Sequence, residues 1–198
     1  MVLLPNNLYH IYNQGNNKQT LFFDDKDYEY FLKNVEECLK PHCNILSYCL
    51  MPNHFHFLLD ITEKSVIKMR LGGIEIDNVT NAFRKILSNY TQQHFNQKYN
   101  QSGSLFRQKT KGKCLSCDNL SSYGFICFQY IHQNPYKANL VQKLEDWEFS
   151  SFKDYAGLRN NILCNQDLAF QYINLSKTDF YNESYNVIDE VNLKNIFQ

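Results

Sequence analysis

No stretch of this 198-residue sequence approaches the roughly 20 consecutive apolar residues that a bilayer-spanning helix needs, so no membrane partner is expected. The first ten residues lack both a basic start and a following apolar run, the two parts of a secretory leader, and the expectation is a cytoplasmic protein. Net charge is also missing. Twenty Lys and Arg stand against twenty Asp and Glu, so the overall charge announces no polyanionic partner. No internal repeat is visible. The seven cysteines are an odd number scattered through a chain without export features, which predicts reduced thiols. Cys114 and Cys117 form a C-x-x-C, but no second C-x-x-C or C-x-x-H supplies the remaining ligands of a structural zinc.

What is present is the composition of an ordinary globular protein, 43% hydrophobic and 20% charged, with 14 Tyr and 15 Phe. The charge is unevenly spread. Residues 1–102 carry ten basic and ten acidic side chains, residues 103–138 five against one, and residues 139–198 five against nine. A basic segment followed by an acidic tail is a polarity that a polyanion would feel.

Aromatic and β-branched residues at 8–12 predict a first strand. Asp24 or Asp25 can cap a helix to about Lys40, where Tyr28, Phe31, Leu32, Val35 and Leu39 share one side and Pro41 stops the run. Strands at 45–51 and 54–61 flank the Pro52-Asn53 turn. Residues 64–77 are ambiguous apart from a turn at Gly72-Gly73. A second helix is expected over about 78–95, an extended fourth strand over 104–115, and a third helix over about 119–134 that Pro135 ends. The order β-α-β-β-α-β-α predicts an α+β fold, a ferredoxin-like split β-α-β antiparallel sheet with helices on one face and the other face open. From about Leu158 the periodicity fades into a short helical or irregular tail, residues 158–198.

His54 and His56 sit at i and i+2 on the third strand, so both imidazoles project from one face while Phe55, Phe57 and Leu59 project from the other. Two adjacent imidazoles are two of the ligands a divalent metal needs, leaving positions for an amide or acid, water and phosphate. Two solvent-facing histidines without a partner would read the same way, and the spacing alone does not decide. Tyr130 and Asn134 are four apart and share a helix face. A tyrosine phenol can form a covalent phosphotyrosine with a phosphodiester, although its ordinary pKa of about 10 calls for a metal or base to assist. Tyr123, two turns earlier, competes for that role. Arg107, Lys109, Lys111 and Lys113 alternate; an extended segment would hold them on one face as a rail about 20 Å long, suited to DNA phosphates or simply to a solvated edge strand.

These pieces occur together in a characteristic order. The blocks are Tyr9-His-Ile-Tyr-Asn-Gln-Gly15, Leu21-Phe-Phe-Asp-Asp25, Tyr48-Cys-Leu-Met-Pro-Asn-His-Phe-His56, Gly103-Ser-Leu-Phe106, Tyr130-Ile-His-Gln-Asn-Pro135, Ala138-Asn-Leu-Val141 and Phe149-Ser-Ser151. In them the chain resembles the HUH-type single-tyrosine transposases, in the branch of REP-associated tyrosine transposases. The resemblance implies that residues 1–157 form a catalytic domain acting on single-stranded or hairpin DNA. It implies His54, His56 and Asn134 as ligands of Mg²⁺ or Mn²⁺, Tyr130 as nucleophile, and cleavage and rejoining through a 5′-phosphotyrosine by a monomer or homodimer. Three departures stand out: lysine in place of a more arginine-rich basic strand, an apparent insertion at 65–77, and Phe149 where relatives carry Trp. The alternatives are a non-catalytic single-stranded nucleic-acid-binding module and a metal-dependent phosphodiesterase that uses water.

Overall fold

Alternating apolar residues and a proline-asparagine turn make β2 (Asn44–Met51) and β3 (His54–Ile61) a tight hairpin, with Met51 opposite His54. A computed structural model describes residues 1–115, 121–189 and 194 of the chain. β1 (Asn7–Gln14) pairs antiparallel with the other edge of β3, setting Tyr12 opposite His56 and Gln14 opposite His54. The sheet order is β2-β3-β1-β6, antiparallel throughout, where β6 is the short strand Lys111–Cys114. Beyond β2, residues 149–151 extend the sheet through Leu50 N–H to Phe149 O (2.9 Å) and Ser151 N–H to Tyr48 O (3.0 Å).

One face carries α1 (Asp25–Cys38) and α2 (Asn78–Asn89). Asp24 caps α1 in a reciprocal box with Asp27, and Asp77 caps α2 by accepting from Thr80 N–H. Past α2 the helix widens into a π-turn, Tyr90–Phe95, before the short α3 (Asn96–Tyr99). Phe55 and Phe57 point into this layer as their strand positions require, with Phe55 5.3 Å from Phe31 and Phe57 6.0 Å from Phe83, centroid to centroid. Between β3 and α2, β4 (Lys68–Leu71) and β5 (Ile74–Asp77) form a separate hairpin. Its turn, Gly72-Gly73, has positive φ at both residues, a conformation that glycine adopts without strain.

The second face is not open as expected. α4 (Ser121–Lys137) lies across β2 and β3, and Gly124 permits the close approach, since a Cβ there would stand 3.0 Å from Leu8 Cδ1. Pro135 does not end α4. The missing N–H removes one bond in the last turn, and Ala138 N–H to Asn134 O and Leu140 N–H to Pro135 O close the end. After α5 (Phe152–Tyr155), the described part of the tail forms α6 (Gln166–Ile173) and α7 (Phe180–Glu183), which pack with α5 on the outer side of α4, and the fully buried Phe180 ring meets Phe128, Phe152 and Tyr155.

The expected strand at 104–115 is largely a loop. Arg107 N–H reaches Gln14 O (2.9 Å), but pairing then lapses until Lys111. Asn13 Nδ2 bridges the gap by donating to Arg107 O and Thr110 Oγ1, so residues 108–110 loop out. Cys38, Cys43, Cys49, Cys127 and Cys164 are free thiols; Cys114 is disulfide-bonded, against the expectation of seven reduced cysteines. Cys117 lies outside the described residues. Among the described residues no helix is long and apolar enough to cross a membrane.

Candidate functional site

Strand alternation gives His54 and His56 a common face, and the register adds His10, Tyr12 and Gln14 from β1 to that face. α4 then lays Tyr130 over them. The Tyr130 ring is 5.4 Å from His56 and 6.1 Å from His10, and the His54 and His56 rings are 5.0 Å apart. Asn134 stands beside both His54 and Tyr130, and its side-chain Nδ2 donates to the backbone O of Tyr130 at 2.9 Å. Residues separated by more than seventy positions in the sequence thus meet in one cluster.

His10 was not among the residues singled out from the sequence. It is fully buried, and its Nε2 lies 2.9 Å from His56 Nδ1. The signal the sequence offers is its place in the Tyr9-His-Ile-Tyr-Asn-Gln-Gly15 block, and that place gains meaning only once β1 is known to lie beside β3. His54 is held in a similar way, with Nδ1 2.6 Å from Asn53 Oδ1 in the turn that starts the strand. Each imidazole therefore has its Nδ1 engaged by a neighbour, the arrangement that fixes tautomer and ring orientation in metal-binding histidines. With the Asn134 amide beside His54, the donor set suits a divalent cation. No group of three or more His, Cys, Asp or Glu side chains gathers for a metal among the described residues.

Burial dominates the electrostatics. It lowers the His54 pKa, with the Asn134 hydrogen bond opposing, and puts His56 well below the usual histidine range, helped by the neighbouring His10 and His54. Both are neutral, the ligand form. Burial lifts the Tyr130 phenol to about 12 while Asn134 pulls the other way, so at neutral pH the hydroxyl keeps its proton.

The four basic residues are not one rail. Lys111 and Lys113 sit opposite Tyr12 and His10 and share the histidine face, with Lys111 Nζ 5.9 Å from the Tyr12 ring centre. Arg107 is tied to the end of β1: with the Gln14 amide turned to satisfy both groups, its oxygen accepts from Arg107 Nη2 at 2.9 Å. Lys109 rides on the looped segment. What the four do share is a groove of about 1160 Å³ between α2 and β6, which all of them line and which Tyr12 joins to the histidine face.

The sequence of residues 4–134 matches the family model described as IS200-like transposase. The chain belongs to the IS200-like transposase family. Its fold is that of a REP-associated tyrosine transposase solved with a bound REP hairpin: TM-score 0.60, 14% identity, 83% of this chain and 94% of that one covered. A bacterial tRNA(His) guanylyltransferase-like protein in complex with ATP overlaps at a TM-score of 0.38 and 11% identity, covering 81% of this chain and 75% of that one, too weak a likeness to bear on this one. No curated protein matches the sequence.

In this transposase the helix bearing Tyr130 is held from behind as well. Gln129 Nε2 donates to Glu183 O (2.7 Å), and Gln133 Nε2 donates to Ser184 O and Asn186 O (both 2.8 Å). His132 Nε2 is 2.7 Å from Ser151 Oγ, which also accepts from Tyr48 N–H, so the Phe149-Ser-Ser151 block connects α4 to the sheet edge. Half-buried Tyr123 lies two turns before Tyr130 on the same helix.

Proposed function

We propose that this transposase cleaves and rejoins single-stranded DNA carrying a hairpin, through a covalent link to Tyr130. The observation that carries the reading is the convergence of His54 and His56 from β3 with Tyr130 and Asn134 from α4 into one partly buried cluster. His54, His56 and Asn134 would hold Mg²⁺ or Mn²⁺, and a cation there supplies positive charge that polarises the scissile phosphate and stabilises its transition state.

The chemistry asked of the chain is a transesterification. The Tyr130 oxygen forms a bond to phosphorus and loses its proton, the P–O3′ bond breaks, and the 3′ oxygen leaves as a hydroxyl. The energy of the diester is kept in the 5′-phosphotyrosine, so rejoining is the same exchange run backwards by a 3′-hydroxyl. Asn134 lies one turn after the phenol on α4 and beside it, and Lys111 and Lys113 offer charge to the strand on the same face. The raised phenol pKa keeps Tyr130 protonated at neutral pH, so its proton has to leave as the bond to phosphorus forms.

The test uses radiolabelled single-stranded oligonucleotides bearing a hairpin beside a randomised segment, with MnCl₂, and scores protein–DNA adducts that survive denaturing electrophoresis. Wild type forms the adduct; His56→Ala and Tyr130→Phe do not, while Tyr130→Phe still binds the DNA. Adducts from Tyr130→Phe would show a different nucleophile. Cleavage without any adduct would point to water, and binding without cleavage to a binding module.

A further inference from the structure

The wall of the groove opposite the basic residues has a regularity of its own. Thr80, Arg84, Ser88, Gln92 and Asn96 recur every four residues, and all five line the groove. In an ideal α-helix a step of four overshoots a full turn by about 40°, so four such steps would carry the last residue about 160° away from the first. The π-turn at Tyr90–Phe95 prevents this, because its wider turns take more residues each and a step of four there falls short. The stripe stays facing the groove as a result. π-turns are rare and occur frequently at functional sites.

The two walls differ in chemistry. Arg107, Lys109, Lys111 and Lys113 supply charge on one side, and among the described residues no Asp or Glu lines the groove. Arg84, Lys109, Lys111 and Lys113 take part in no ion pair among the described residues. On the stripe, the side chains of Ser88, Gln92 and Asn96 make no hydrogen bond among the described residues, although polar neighbours are plentiful. Three unspent donor–acceptor groups facing an uncompensated basic wall suit a ligand that shows phosphates on one side and polar edges on the other. Unpaired nucleotides do so, and amide side chains match base edges with a paired donor and acceptor.

We infer that the groove holds a single-stranded stretch of the DNA substrate, with the lysine wall on its phosphates and Ser88, Gln92 and Asn96 selecting its bases. This rests on the strand-transfer reading above. Tyr12 ties the two together: it lines the groove and its ring is 5.9 Å from that of His56, so a strand leaving the groove arrives at the histidine cluster.

The experiment is selection from a pool of single-stranded oligonucleotides with a fixed hairpin and a randomised flank, sequenced after capture by the full chain. Wild type enriches particular flank sequences. The double variant Gln92→Ala, Asn96→Ala binds the pool within about threefold of wild type and with the same salt dependence, but its enrichment flattens. Lys109→Ala with Lys111→Ala keeps the wild-type preference, weakens binding at least about tenfold, and lowers the salt slope by about 1.4, two lost single-strand phosphate contacts. Thermal melting and the conservative Gln92→Asn, which restores part of the preference, separate misfolding from lost selection. Wild-type enrichment in the amide variant overturns the inference while adduct formation leaves the strand-transfer reading standing. If wild type neither captures the pool nor forms an adduct, the underlying reading falls with it.

Discussion

Gln133→Leu tests whether the C-terminal segment positions the tyrosine helix. Gln133 is 3% exposed, and its Nε2 donates to the carbonyls of Ser184 and Asn186. Leucine fills the space without the donor. The Ser184 carbonyl belongs to a buried residue and loses its partner outright, at about 1–3 kcal/mol. Asn186 is exposed, so water can replace much of its bond and the loss is nearer 1 kcal/mol. The sum, about 2–4 kcal/mol, should lower the melting temperature by roughly 4–16 °C in a chain of this size. Gln133 stands three residues after Tyr130 and one before Asn134, so a loosened α4 also displaces the cluster, and misplacement by about 1 Å can cost a hundredfold in rate. Urea unfolding at 25 °C measures the first effect. Single-turnover adduct formation at saturating oligonucleotide and Mn²⁺ measures the second, with a fall of tenfold or more expected. Wild-type stability would refute the anchoring of the tail on α4. Reduced stability with an unchanged rate would refute the positioning role and leave the tail a purely structural shell.

Three more outcomes are expected. Burial pushes the Asp27 carboxyl up, but Lys98, Tyr99, the Phe23 N–H and His94 together hold it down at about 2, below the ordinary 3.8. A depressed carboxylate stabilises the fold above pH 3.8 and loses that contribution as the pH falls toward 2, here about 2 kcal/mol, so urea midpoints between pH 6 and 2 should drop more steeply for wild type than for Asp27→Asn. Ser151→Ala removes the acceptor for Tyr48 N–H and the partner of His132, which burial keeps neutral with a pKa down at about 3; denaturant titration should find it about 2–4 kcal/mol less stable. Gly124→Val crowds Leu8 beneath α4 and should cost about 1–3 kcal/mol, while Gly124→Ala, where the flexible Leu8 end yields and helix propensity gains, stays within about 1 kcal/mol of wild type by the same titration.

The Tyr130-Ile-His-Gln-Asn-Pro135 block shows how far sequence reading could go. That Tyr130 and Asn134 share a face follows from helical spacing alone, as the pairing of His54 and His56 follows from strand spacing. The block has a second face, however. Gln129, His132 and Gln133 grip the tail and Ser151, and no local period signals that the segment after Leu158 returns to cover them.

Local rules determined the β1, α1, β2–β3 and α2 segments, the glycine turn at Gly72-Gly73, and the apolar reverse of the histidine strand, because each depends on residues a few positions apart. The tertiary structure alone decided the rest. It placed His10 against His56 through the β1–β3 register, covered the supposedly open face with α4, broke the basic strand at 108–110, and set its four cations along one wall of a groove. These depend on which strands pair and how helices cross, and such long-range contacts are set by the summed burial of the whole chain rather than by any local pattern.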